Sequence, residues 1–165
     1  VYPTWNGGGT VKCPILGADF LPAPGTLVEN GQNAFDPPIH QGLGLGMAPI
    51  VAKVTIVAPT SVTINVSATL TLAFGYAIGQ VQEPVEQALE NYLLSIRQEW
   101  ATNVSATAVE YAANIYVSQV VAALVNTPGI VNATNVQLNG GTSDLFLTET
   151  GVTQRVPVLG EETLT

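Results

Sequence analysis

A chain of 165 residues is long enough for one domain or two small lobes around a sizeable core. Four basic residues stand against twelve acidic ones, a net charge of −8, which leaves too few cations to bind nucleic-acid phosphates or an anionic membrane surface. Charged residues make up 10% of the chain and hydrophobic ones 47%, which leaves two readings open: a surface largely covered by neighbouring protein, because interface cores are poor in charge, or a secreted or surface β-rich domain with a neutral Thr/Asn/Gly exterior.

The chain opens on Val1, with no Met and no basic leader, and so reads as a piece of a longer protein. No apolar run reaches the ~18 residues needed to span a bilayer. Cys13 is the single cysteine, which rules out an internal disulfide and points to folding in a cytosol. Asn65, Asn103 and Asn132 each begin an Asn-x-Ser/Thr triplet, a pattern common by chance.

Residues 1–9, with Tyr2, Trp5 and Gly7-Gly8-Gly9, read as an incoming linker. Thr10–Leu16 reads as a strand, with Pro14 suited to an edge. Pro24-Gly25 can open a helix reaching Phe35, which Asp36-Pro37-Pro38 ends. His40–Pro49 is Gly-rich and irregular. Ile50–Val57 and Val62–Ala73 are strand patterns, the second alternating cleanly, and Ala58–Ser61 between them predicts a hairpin. Glu83-Pro84 predicts the start of a helix whose stripe is Val85, Ala88, Leu89, Tyr92, Leu93, Ile96 and Trp100. Residues 101–108 read as a polar connection. A last helix is expected over Val109–Thr127, with Ala112, Ala113, Tyr116, Val117, Val120, Leu124 and Val125 on its apolar side. Leu89, Leu93 and Leu124 are the expected core residues.

Pro128-Gly129 stops that helix, because proline cannot continue the ladder and glycine accepts a left-handed backbone. A strand begins at Ile130. Asn139-Gly140-Gly141 supplies positive φ for a tight reversal, and Asp144–Thr148 is expected to pair back as a hairpin. The hairpins at Ile50–Ala73 and Ile130–Thr148 look alike, and each follows a strand and a helical region. The expected fold class is α+β, with two pseudo-repeated lobes of small, mostly antiparallel sheets, each with helices on one face. The expected lobes are residues 10–73 and 74–165.

Candidate chemistry is sparse. Cys13 and His40 lie far apart in sequence and carry no motif for a nucleophile-base pair, so Cys13 reads as a packed strand residue. One Cys and one His are too few for zinc. Gly42-Leu43-Gly44-Leu45-Gly46 matches neither phosphate-loop template and precedes a strand instead of opening a helix. Glu86 and Glu90 share a helix face, which is more simply a solvated face than a catalytic pair or a calcium site. Asp144 reads as a turn anchor, and Trp100 as core. Tyr2, Trp5 and Trp100 are the residues a sugar platform would draw on. No catalytic, cofactor or metal residues are assigned, and no cofactor is expected.

Three stretches carry a family resemblance: Gly42–Ile50, the helix and stop over Val117–Val131, and Leu138-Asn139-Gly140-Gly141-Thr142 with Val156-Pro157-Val158-Leu159-Gly160-Glu161. In this order and spacing, from about Gly8 onward, the chain resembles the C-terminal part of the baseplate J-like family, the wedge proteins of contractile phage tails. Two stretches depart from the pattern: the neutral Leu16-Gly17-Ala18-Asp19 and the Gly-poor 101–108. The resemblance implies a structural virion protein, not an enzyme, made in a bacterial cytoplasm and located in the tail baseplate. Its implied partners are other baseplate proteins and further copies of itself, with no nucleic acid, membrane or small-molecule substrate. The alternative reading is a carbohydrate-binding or adhesive surface module.

Overall fold

The computed structural model describes residues 9–100, 102–104, 109–110, 113–149 and 153–165. Its contacts fall into two compact units, Val1–Thr60 with Glu149–Gln154, and Ser61–Thr148 with Arg155–Thr165. The fold class is α+β.

The first unit is built on β1 (Thr10–Pro14), α1 (Gly25–Phe35) and β2 (Lys53–Val57). β1 and β2 run parallel, in register from Thr10 opposite Lys53 to Pro14 opposite Val57. Parallel neighbours need a long crossover, and α1 is part of it. Val54 and Ile56 point to the core with Ala48, and Cys13, Ile15 and Val28 pack around them. The Val54 and Ile56 backbone groups face away from β1, and side chains satisfy them. Gln32 Oε1 accepts the Ile56 amide at 2.9 Å, and Gln32 Nε2 donates to the Val54 carbonyl at 2.9 Å. The Asp36 carboxylate accepts the Val54 amide, also at 2.9 Å.

That arrangement explains why the expected hairpin of Ile50–Val57 with Val62–Ala73 does not form. The open edge of β2 is already hydrogen-bonded by α1, and β3 (Thr60–Leu72) pairs elsewhere.

In the second unit β3 is the central strand of a sheet ordered β7-β3-β9, with β7 at Ile130–Leu138 and β9 at Arg155–Leu164. β3 and β7 are antiparallel, from Val66 opposite Leu138 to Leu72 opposite Ile130. A bulge sets Asn135 and Val136 against Ala68 alone, and Asn135 takes a φ of 50° to make it. The alternation of β3 puts Ile64, Val66 and Ala68 into the core.

Two helices cover that inner face: α2 (Ile78–Glu99) lies against β9, and α3 (Val117–Val125) lies against β7. α2 starts more than a turn before the expected Glu83-Pro84. The Gln80 side chain accepts the Ala77 amide at 2.8 Å, half of a capping box, and Val81 is fully buried. Those two interactions hold the extra turn although Pro84 lies inside the helix.

The last helix is shorter than expected. Val109–Glu110 is strand β5, paired with β4 (Asn103–Val104), and Ala113–Ile115 is strand β6. β6 pairs antiparallel with β8 (Leu145–Leu147), so β8 does not answer β7 as a hairpin strand. Ala113 and Ile115 are buried on either side of Asn114, a period of two, whereas only Ala113 of this pair stood in the expected helical stripe. The stripe residue Ala112 and most of the 101–108 connection lie outside the described residues.

Candidate assembly surface

The residues that could carry chemistry are separated or structural. Cys13 is half-buried against the Val54–Ile56 cluster, and burial pushes its thiol pKa up. A thiol so shifted is a poor nucleophile at neutral pH. His40 ends an exposed 3-10 turn, Pro38–His40. Among the described residues, no group of three or more His, Cys, Asp or Glu could hold a metal ion. No helix of the described residues is long and apolar enough to cross a membrane.

Glu86 and Glu90 have separate roles. Glu90 forms an ion pair with Arg97, which is only 2% exposed and also donates from Nη1 to the Pro157 carbonyl at 3.0 Å. Glu86 sits near Glu162 on β9, whose pKa is raised by burial and then by the Glu86 charge. Asp144 accepts the Val117 amide at 2.8 Å, and the Tyr92 hydroxyl accepts the Tyr116 amide at 3.0 Å. Together they satisfy donors at the start of α3 that its own sequence leaves uncapped. Trp100 is buried at the end of α2; Tyr2 and Trp5 lie outside the described residues.

Leu89, Leu93 and Leu124 are each at most 2% exposed, in one cluster with Ile64, Val66 and Val120. Pro128 is exposed. Gly129 has a φ of 93° and lies against the Tyr76 ring, where an added Cβ would overlap the ring. Asn139 and Gly140 have φ of 50° and 78°, and Leu138 and Gly141 close the turn around them. Asn139 also lines an open polar groove with Thr63, Asn65, Ser67, Glu161 and Thr163.

The most distinctive surface is the loop after α1. Ile39, Leu43, Leu45, Met47, Ile50 and Val51 are all exposed, four of them by 70% or more. Exposed apolar residues so crowded are uncommon on a free surface. The loop is nevertheless tightly held. The buried Asp36 carboxylate accepts the Gly42 amide at 2.9 Å as well as that of Val54. Met47 and Ala48 donate to the carbonyls of Ala34 and Phe35 at 3.0 and 2.8 Å, and Val51 donates to Gly42 at 2.8 Å. Gly46 passes so close to the end of α1 that an added Cβ would lie 2.5 Å from the Phe35 carbonyl oxygen. Val51 has a φ of 66°, a left-handed backbone that a β-branched residue rarely adopts. Its side chain nonetheless points into solvent, being 79% exposed. Strain of this kind persists where surrounding structure imposes it, and it clusters at functional sites.

From the sequence this loop was legible as glycine-rich and as one of the stretches that carry the family resemblance, but not as an exposed apolar surface. Sequence reasoning missed Gln32 and Asp36, which hold the loop and β2, because their partners are backbone groups that no side-chain motif encodes. It also missed Arg97, although Val81, Val85, Leu89, Leu93 and Arg97 recur every four residues.

The sequence profile of the Baseplate J-like protein C-terminal domain matches residues 64–161. The match runs from the middle of β3 into β9 and takes in both helices of the second unit. The chain is 29% identical over 161 residues to the phage-like element PBSX protein XkdT of Bacillus subtilis (strain 168), and that alignment takes in 98% of this chain and 41% of the relative. It is 30% identical, over the same lengths, to the uncharacterized protein YqbT of the same organism. The chain therefore spans about two fifths of the length of the curated relatives it matches.

Proposed function

The chain belongs to the Baseplate J-like protein C-terminal domain family, and from that premise we propose that it serves as part of a wedge subunit in the baseplate of a contractile phage or phage-like tail. It works by assembly and not by catalysis. Its partners are other baseplate proteins and further copies of the same protein.

The observation that carries this reading is the Ile39–Val51 loop. An apolar, uncharged contact presented on a hydrogen-bonded frame loses little conformational entropy on docking, because its shape is already set. It also meets no desolvation penalty from unpaired charges. The sparse charge of the whole chain, 10% of residues, extends the same property.

A photo-crosslinking residue placed at Met47 in the complete protein, within assembled particles, tests the contact. Crosslinks to another tail protein or to a second copy are the expected result. A position that crosslinks to nothing in assembled tails, while the purified chain binds glycans tightly, would favour the adhesive reading instead.

A further inference from the structure

Three Asn-Gly pairs occur in the sequence, at Asn6, Asn30 and Asn139. Asparagine is thermolabile, and a following glycine leaves the attacking backbone nitrogen unhindered. Asn6 lies outside the described residues, and Asn30 is fixed inside α1. Asn139 and Gly140 are the two central residues of a tight turn with positive φ, and both are exposed to water. Only the freedom of the Asn139 side chain is missing. Its Oδ1 accepts the Asn65 amide at 2.8 Å, and its Nδ2 donates to the Thr63 carbonyl at 3.1 Å. Its backbone amide donates to the Asn65 carbonyl at 2.9 Å.

We propose that Asn139-Gly140 is a latent deamidation site held closed by β3, and that its modification records opening of the β7–β3 pairing. Cγ of Asn139 carries both bonded side-chain atoms, so it cannot swing onto the Gly140 nitrogen without breaking both hydrogen bonds. Once it is free, the Gly140 nitrogen bonds to Cγ and gives up its proton. The bond from Cγ to Nδ2 breaks and ammonia leaves. Water then opens the cyclic imide at either carbonyl, which yields aspartate or isoaspartate, and no other reactant is needed.

Neither product can donate to the Thr63 carbonyl as the amide did. Each adds a negative charge to the groove that Glu161 already lines. Isoaspartate also lengthens the main chain by one carbon, which displaces Gly141 from its bonds with Leu138. Loss of ammonia makes the reaction one-way, and either product keeps the edge from closing as before.

The test is to incubate the full chain at mildly alkaline pH, folded and in urea, and to measure aspartate and isoaspartate at residue 139 by mass spectrometry. Two ordinary side-chain hydrogen bonds predict a folded-state rate slower by roughly twentyfold or more. Loosening the strand end with Leu138→Ala, in a variant shown by circular dichroism to stay folded, is expected to raise the rate. An Asn139→Asp variant is expected to melt below the parent. Rates at residue 139 within about twofold of each other in the folded and unfolded chain would overturn the proposal, as would an Asn139→Asp variant as stable as the parent.

Discussion

Gln32 on α1 and Ile56 on β2 share a hydrogen bond that stands where a third strand would otherwise pair, with the Ile56 amide donating to Gln32 Oε1 at 2.9 Å. Asp36, which caps the end of α1, accepts the neighbouring Val54 amide and the Gly42 amide, so the helix and its cap together close the sheet edge and tie down the apolar loop.

Asp36→Ala is therefore expected to weaken the first unit by about 3 kcal/mol, because two buried amides lose a charged acceptor. Gln32→Ala is expected to cost less, about 1–2 kcal/mol, through the orphaned Ile56 amide. Hydrogen exchange at Val54 and Ile56 reads both effects. Unchanged protection in Asp36→Ala would show that the carboxylate does not hold this edge.

Leu89→Ala, Leu93→Ala and Leu124→Ala are each expected to lose about 2–5 kcal/mol in urea denaturation, since each side chain is almost wholly enclosed. A loss below about 0.5 kcal/mol at any of them would mean that the site collapses without a cavity.

Arg97 separates charge from packing. Arg97→Ala removes a buried side chain and leaves Glu90 without its partner, and is expected to cost about 3 kcal/mol. Arg97→Leu refills the buried volume but still leaves Glu90 without its partner, and is expected to recover only the packing share of that loss. Thermal melts of the two variants give the comparison, and equal losses would assign the whole effect to the charge.

Glu162 is expected to make stability depend on pH. Burial and the Glu86 charge raise its folded pKa above the ordinary 4.5, so the folded protein binds the proton more tightly than the unfolded one. Its contribution then favours folding at low pH and is lost as the pH climbs from 4.5 through the raised value. Glu162→Gln is expected to raise the melting temperature at neutral pH, with the gain shrinking toward pH 4.5. Melting curves across that range check the sign, and a gain that grows on acidification would contradict it.

Much of the second unit was legible in the sequence because its signals are local and repeated. The Ile64–Val66–Ala68 alternation marks β3, and the four-residue spacing from Val85 to Leu93 marks α2. The start of α2 was misplaced because Pro84 carries a strong first-turn signal, while the true start rests on Gln80 and the burial of Val81. Ala113 and Ile115 fell inside the expected helix because an alternation of only three residues is too short to stand out against the helical stripe that continues from Tyr116. Pairing was the least legible feature. Which strand lies beside β2 depends on Gln32 and Asp36 reaching across the fold, and neither residue type announces that role. The glycine spacing of the loop after α1 was plain, but its exposure was not, because apolar residues interleaved with glycines carry no period that separates a packed face from an exposed one.

On the proposed function, the Ile39–Val51 loop makes a contact the tail needs in order to assemble. The most direct test is electron microscopy of particles whose complete protein carries Leu45→Glu or Met47→Lys, alongside melting curves of the purified variants. A charge buried without a partner costs several kcal/mol at an interface, enough to remove a contact. Variants that melt like the parent but yield particles without intact baseplates are the expected result. Normal, contracting tails from both folded variants would contradict the proposed function.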